Sequence, residues 1–198
     1  MFSKFKDFMQ KCIPLNTTDW DIIKSKLKIE YLNKNENIHN IGDISSKIMF
    51  VNSGLARTYI LDENGKDYTW GIHFNDKNAY ITNLFIGDYE SFVNQTPSKF
   101  AIDALEDCEV VVLTYKDLEY LYNNTTIGDR FGRLINQEAY TYLHNSIIDR
   151  QTKTAKERFE NFMDTTPYLL EKVPQYHIAT FLGITPQHLS RLKKKYKN

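Results

Sequence analysis

The stretch spanning residues 173–198, VPQYHIATFLGITPQHLSRLKKKYKN, leaves this chain the fewest options. Its spacing predicts two helices around a tight turn. The first runs from about residue 175 to 182, with Ile178 and Leu182 facing inward and Ala179 where the helices cross too closely for a larger side chain. Gly183 supplies the positive φ that ends it. Ile184 plugs the turn into the core. Thr185 is a natural N-cap and Pro186 a natural first helical residue, because its missing N–H costs nothing there. Leu189 and Leu192 mark the buried side of the second helix, which leaves Gln187, His188, Ser190, Arg191, Lys194 and Lys195 for its other faces. Polar, bidentate-capable side chains near the start of a helix, with cations further along, are the chemistry of a recognition helix in the DNA major groove. The plainer alternative is a C-terminal helical hairpin whose lysines complement the helix dipole. The joint pattern of Ala179, Gly183 and the Thr185–Pro186 start favours DNA.

A formal net charge of zero argues against nucleic acid until its distribution is read. From Arg150 onward there are ten Lys/Arg against four Asp/Glu, and the rest of the chain has fifteen against twenty-one. A basic module therefore follows an acidic body. No apolar run is long enough to span a bilayer and residues 1–14 lack a signal-peptide pattern, so the expected location is the cytoplasm, away from membranes. Cys12 and Cys108 stand far apart without CxxC spacing and read as reduced thiols.

Taken in order, Phe5, Phe8, Met9 and Ile13 predict a helix closed by Pro14, and Trp20, Ile23 and Leu27 a second one starting at a Thr17/Thr18 cap. From about residue 28 to 115 the period becomes that of strands, expected over 48–52, 55–61, 68–74, 79–85, 100–104 and 110–114. Asn64-Gly65 gives the clearest hairpin signal. Residues 116–122 return to helix, and a long helix is expected over 126–152. Its apolar positions Ile127, Phe131, Leu134/Ile135, Tyr142 and Ile147/Ile148 are read as a dimer seam. Residues 155–163 form another amphipathic helix with Phe159 and Phe162 inward.

A β-roll, a long helix and a C-terminal helix–turn–helix in that order, carrying IATFLGITPQHLSRLKK at 178–194 and FAIDALEDCEVVVLTYKDLEYL at 100–121, resemble the Crp/Fnr family of bacterial transcription regulators over essentially the whole chain. The resemblance implies an α+β fold in three parts. Residues 1–122 would be an antiparallel, cyclic-nucleotide-binding-like β-roll (a double-stranded β-helix) with N-terminal helices, and 123–152 a long dimerisation helix. Residues 153–198 would be a helix–turn–helix DNA-binding domain, a reduced winged helix because the sequence ends at Asn198 without a wing. It implies a homodimer on a near-palindromic double-stranded operator, with RNA polymerase as a further partner and no catalysis. Gln187 and Arg191 fall on the family's base-reading positions, with His188 and Ser190 beside them. Thr185, Lys193, Lys194 and Lys195 suit phosphates.

One departure bears on control. Family members that bind cyclic AMP carry a Gly-Glu pair followed ten residues later by an Arg-Ser/Thr pair that neutralises the cyclic phosphate. Here Gly87-Asp88 holds the first place and Ser98-Lys99 the second. Aspartate could reach a hydroxyl, but serine cannot neutralise a phosphate, and Lys99 should point to the other face of an extended segment. Cyclic AMP control is therefore not expected, and no cofactor is; surface-loop chemistry at Asp88, Ser98 and Lys99 is the simpler reading. Two cysteines are too few for an iron–sulfur sensor. His39, His73 or His144 could ligate haem, although nothing pairs them. An enzyme of the cupin type would need an H-x-H metal motif, which is absent, as are a G-x-S-x-G elbow, a P-loop and H-E-x-x-H. The remaining alternative is a ligand-sensing or protein-interaction β-roll whose helix–turn–helix binds no specific DNA.

Overall fold

The structure is a computed structural model that describes residues 1–196; Lys197 and Asn198, the end of the expected helix–turn–helix module, lie outside the described residues. Two helices open the chain, α1 (Ser3–Cys12) and α2 (Thr17–Lys24). The cap of α2 is Asn16, one residue before the expected threonines, its side chain accepting from the Asp19 N–H at 2.8 Å. Eight strands follow: β1 (Lys28–Leu32), β2 (Asn37–His39), β3 (Lys47–Ser53), β4 (Ala56–Leu61), β5 (Asp67–His73), β6 (Phe85–Ile86), β7 (Ala101–Ala104) and β8 (Cys108–Thr114). They form two four-stranded antiparallel sheets in the orders β1-β8-β3-β6 and β2-β7-β4-β5.

Strand alternation assigns each sheet two kinds of neighbour. Met49, Val51, Val110 and Val112 point between the sheets, where they meet Ala56, Ile86, Ile102 and Ala104. Phe50 and Val111, on the opposite face of the same strands, pack under α1, α2 and the helices that follow the roll. Phe5, Phe8, Phe50, Phe85 and Phe131 form an aromatic cluster there, edge-to-face in every cited pair but Phe8–Phe50, with centroids 5.1–6.2 Å apart.

One expected strand is absent. Residues 79–85 form the single-turn helix α3 (Ile81–Leu84) and only then enter β6. Asn83 explains the difference: its amide oxygen accepts from the Tyr80 N–H at 2.9 Å and its amide nitrogen donates to the Ile72 carbonyl at 2.7 Å. A buried Asn that serves the backbone on both sides closes a turn where apolar content alone reads as strand. A second helix, α4 (Tyr89–Asn94), lies between β6 and β7.

Helix α5 (Tyr115–Asn124) and the long α6 (Thr126–Thr152) meet at Thr125, and α6 has the bounds expected of the long helix. Gly128 lets the two helices cross closely: a Cβ there would lie 2.6 Å from Thr125 Oγ1 and 2.7 Å from the Leu121 carbonyl oxygen. The positions of the expected seam are divided between two environments. Ile127, Phe131 and Leu134 pack on their own β-roll and Tyr142 stacks on Tyr80. Uncovered apolar residues on α6 are Tyr140, Leu143, Ile147 and Ile148.

The chain ends in α7 (Ala155–Thr165), the short α8 (Leu169–Lys172), α9 (Gln175–Phe181) and α10 (Pro186–Tyr196). These helices share one core with the second sheet: Phe159, Phe162, Ile178, Leu182 and Leu189 pack in a single cluster with Leu55, Ile72 and Phe74. The helix–turn–helix is docked on the β-roll.

Candidate nucleic-acid interface and effector cavity

Local chemistry builds the turn between α9 and α10 as its sequence predicts. Gly183 has φ +69, the Gly183 N–H donates to Thr180 O at 3.0 Å, and the Ile184 N–H reaches back to Ala179 O at 2.9 Å. These two bonds are a Schellman ending, which satisfies the last carbonyls of α9. Thr185 Oγ1 then accepts from the His188 N–H at 3.2 Å, the N-cap geometry that starts α10. Ala179, Ile178 and Leu189 are fully buried, and Leu192 nearly so.

The remaining faces of α10 are in water. Thr185, Gln187, Ser190, Arg191, Lys194 and Lys195 are exposed, while His188 and Lys193 are half-buried. No salt bridge occupies Arg191, Lys193, Lys194 or Lys195 among the described residues. The helix therefore presents amide, guanidinium and ammonium donors together.

Sequence reading gave no sign of the polar joint that holds α9 to the sheet. Arg57 of β4 is its centre, with a side chain only 7% exposed. It donates to Asp103 of β7 at 2.9 and 3.0 Å, to Asp67 of β5 at 2.5 Å and to His177 Nδ1 of α9 at 2.6 Å. Because guanidinium only donates, His177 Nδ1 must accept, which fixes a neutral ring protonated at Nε2. Burial, then repulsion by Arg57, holds the His177 pKa below its ordinary value. Around this centre the Tyr176 hydroxyl donates to Asp67 O, and Thr180 Oγ1 accepts from the Thr69 N–H. Tyr168 reaches Asp76 at 2.6 Å and Lys172 reaches Glu106 at 3.0 Å. The acidic body and basic tail read from the sequence thus meet partly within the molecule. Arg57 and its three partners come from four separate stretches of chain, which local patterns cannot pair.

Gly87-Asp88 and Ser98-Lys99, the two pairs at the places of the phosphate-binding cassette, do come together. Asp88 caps α4 by accepting from the Glu90 and Ser91 N–H groups, and its other oxygen accepts from the Ser98 hydroxyl at 2.7 Å. Both residues are buried, at 4% and 3% exposure, which corrects the surface-loop reading. The hydroxyl that Asp88 binds is the chain's own. Lys99 is exposed, as expected from alternation, and its ammonium lies 3.9 Å from Glu90.

Beside the cassette, between the roll, α6 and the helix–turn–helix core, is a cavity of about 560 Å³. Its walls are mostly apolar and aromatic, with Trp70, Phe74, Phe92, Phe100, Phe131 and Phe162 among them. His73 stands in the wall with both nitrogens engaged: Nδ1 donates to Thr82 O at 3.1 Å, and Nε2 lies 2.7 Å from Thr58 Oγ1. Burial lowers its pKa from 6.5 to about 4. His39 sits on β2, and His144 stacks on Tyr140 on α6. No cluster of three or more His, Cys, Asp or Glu side chains is arranged for a metal among the described residues.

Solved structures with this arrangement cover most of the chain. FixK2 from Bradyrhizobium japonicum matches at 17% identity and TM-score 0.65, over 85% of this chain and 83% of that one. The global regulator CLP of Xanthomonas campestris, described as responsive to c-di-GMP, matches at 14% and 0.64 over 92% of both. A protein of Eubacterium rectale assigned to the Crp/Fnr family of transcriptional regulators matches at 18% and 0.65, over 92% of this chain and 84% of that one. This is the Crp/Fnr fold. The cyclic nucleotide-binding domain family matches residues 29–125, which runs from β1 to the end of α5. No curated protein sequence matches the chain. At the second of the two positions this chain holds a buried serine bound to a buried carboxylate, and the lysine beside it is turned to solvent.

Proposed function

We propose that this protein is a homodimeric, sequence-specific DNA-binding transcription regulator, acting in the cytoplasm, whose control does not run through cyclic AMP. The observation that carries the reading is the exposed Gln187–Arg191 face of α10, held by a Schellman turn and an N-cap on one side and by buried Leu189 and Leu192 on the other. Arg191 suits a bidentate contact to guanine and Gln187 one to adenine, each good pair discriminating by ~1–3 kcal/mol. Thr185 and the Lys193–Lys195 run supply phosphate contacts, which set position and salt dependence. His188 and Ser190 flank the readers.

The uncovered Tyr140, Leu143 and Ile147 recur along α6 at helical spacing and support a two-fold seam between two copies. Two recognition helices related by that axis would read half-sites about 34 Å apart. RNA polymerase is the further partner such a regulator would meet. The chain carries no H-x-H, G-x-S-x-G, P-loop or H-E-x-x-H motif, and the proposed role is that of a binding protein.

A second reading draws on the docked α9, since a helix fixed to the sheet has less freedom to meet DNA: a ligand-sensing or protein-interaction β-roll without specific DNA binding. Selection from a random DNA pool by the purified protein separates the two. A two-fold-symmetric motif supports the regulator. Weak, steeply salt-dependent, sequence-blind binding would favour the second reading.

A further inference from the structure

The cavity is not walled by the roll and α6 alone. Asn161 and Phe162 of α7 and Leu182, which caps the end of α9, line it together with Trp70 of β5 and Arg150 of α6. Two guanidinium groups face it from the hinge between α6 and α7. Arg150 stacks over the Trp70 ring, 5.5 Å from its centroid, and Trp70 in turn packs on Phe100. Arg158 is tied in place by donating to Lys153 O at 2.6 Å and to Leu182 O at 3.1 Å. Neither has a carboxylate within 4.0 Å among the described residues, whereas the third lining cation, Lys153, is paired with Asp149. The cassette elements contribute the opposite sign through Asp88 and Glu90. An anion entering this cavity is repelled at the cassette and attracted at the hinge. The rest of the wall offers apolar contact over a volume typical of small-molecule sites.

We propose that the hinge end of the cavity binds an amphipathic monoanion, a carboxylate on an acyl or aromatic body, with the carboxylate on Arg150 and Arg158 and the body against Trp70 and Phe162. Arg158 holds the α9–α10 turn through Leu182 O, so such a ligand touches the roll, α6 and the helix–turn–helix at once. Binding there biases how the helix–turn–helix sits on the roll, because the ligand contacts both sides of the dock. This site is separate from the DNA-reading face, and its occupancy does not depend on whether α10 reads sequence.

The test uses decanoate as the probe, with decanol and cyclic AMP as comparisons, by titration calorimetry on the full chain without DNA. Decanoate should bind at one site per chain, at least tenfold more tightly than decanol, and cyclic AMP should be weaker than both. Arg150→Gln, at an exposed position that should leave folding intact, should bring decanoate down to the decanol level while leaving decanol unchanged. A Trp20→Phe variant leaves Trp70 as the single tryptophan, and its fluorescence should respond to decanoate over the same concentration range. Absence of saturable decanoate binding, equal affinity for decanoate and decanol, tighter binding of cyclic AMP, or unchanged decanoate affinity in Arg150→Gln would each overturn the proposal. None of these readouts involves DNA, so failure here and failure of the regulator reading are separate results.

Discussion

Replacing Arg57 by Met tests how firmly the helix–turn–helix is docked. Methionine keeps most of the apolar stem and removes the charge, so the chief effect is on the groups left behind. Arg57 binds Asp103 through two nitrogens, and Asp67 and His177 through a third. Removing one side of a buried ion pair costs ~3–5 kcal/mol, because the other side stays buried without its partner. Asp103 and Asp67 retain 24% and 21% side-chain exposure, so water recovers part of the loss and the lower end, ~3 kcal/mol, is expected. For a chain of this size that is a drop in melting temperature of roughly 6–12 °C. Thermal unfolding at pH 7.5, followed by circular dichroism and calorimetry, gives the value. The calorimetric trace should also broaden or split, because the joint links the helix–turn–helix to the sheet. Adding Asp67→Asn and Asp103→Asn to Arg57→Met should restore much of the loss, since the cost lies in unpaired carboxylates. A melting temperature within 1 °C of the parent, or no recovery in the triple variant, would refute the reasoning.

Three further outcomes follow from other parts of the structure. Gly128→Ala should destabilise by ~1–3 kcal/mol despite the ~1 kcal/mol that alanine gains in a helix, because the new Cβ meets the Leu121 backbone at 2.7 Å; urea titration reads the sign. Stability should fall as pH drops from 6.5 towards 4. His73 titrates at about 4 in the folded chain against an ordinary 6.5, so the unfolded state binds more protons across that window, a cost of ~3 kcal/mol once the pH is below both values. The lowered His177 adds to it with the same sign, and melting curves between pH 7.5 and 4 measure the sum. Leu143→Glu with Ile147→Glu should give a monomer by sedimentation velocity with the melting temperature of the isolated fold little changed, because both side chains are largely exposed in the single chain.

What could be read from the sequence was chemistry closed within a few residues. The α9–α10 turn is set by Gly183, Thr185 and Pro186, whose partners lie within five positions, and it formed as expected. The Asn64-Gly65 hairpin joins β4 to β5 for the same reason, Gly65 taking φ +76. Residues 79–85 misled because their β-like composition was overruled by Asn83 bonding to Ile72, eleven residues away. On α6 two apolar stripes share one helix. Periodicity cannot say which positions are covered: of those read as a seam, Ile127, Phe131 and Leu134 lie on the roll while Ile147 and Ile148 stay uncovered, and Tyr140 and Leu143, not singled out in the sequence, join them. The Arg57 joint was out of reach, since Asp67, Asp103 and His177 lie 10, 46 and 120 positions from it. Asp88 and Ser98 were found through the cassette spacing, but their mutual bond and burial are properties of the folded loop.

The most direct measurement of the central claim compares Arg191→Ala with Lys194→Ala on the DNA sequence selected by the parent protein and on a scrambled control, over a salt series. Arg191→Ala should remove most of the preference for the selected site, ~1–3 kcal/mol, while Lys194→Ala should weaken both sequences alike and reduce the salt slope by about one phosphate contact. Equal losses on both sequences for Arg191→Ala, or no preference in the parent to begin with, would contradict the assignment of α10 as a reader of DNA.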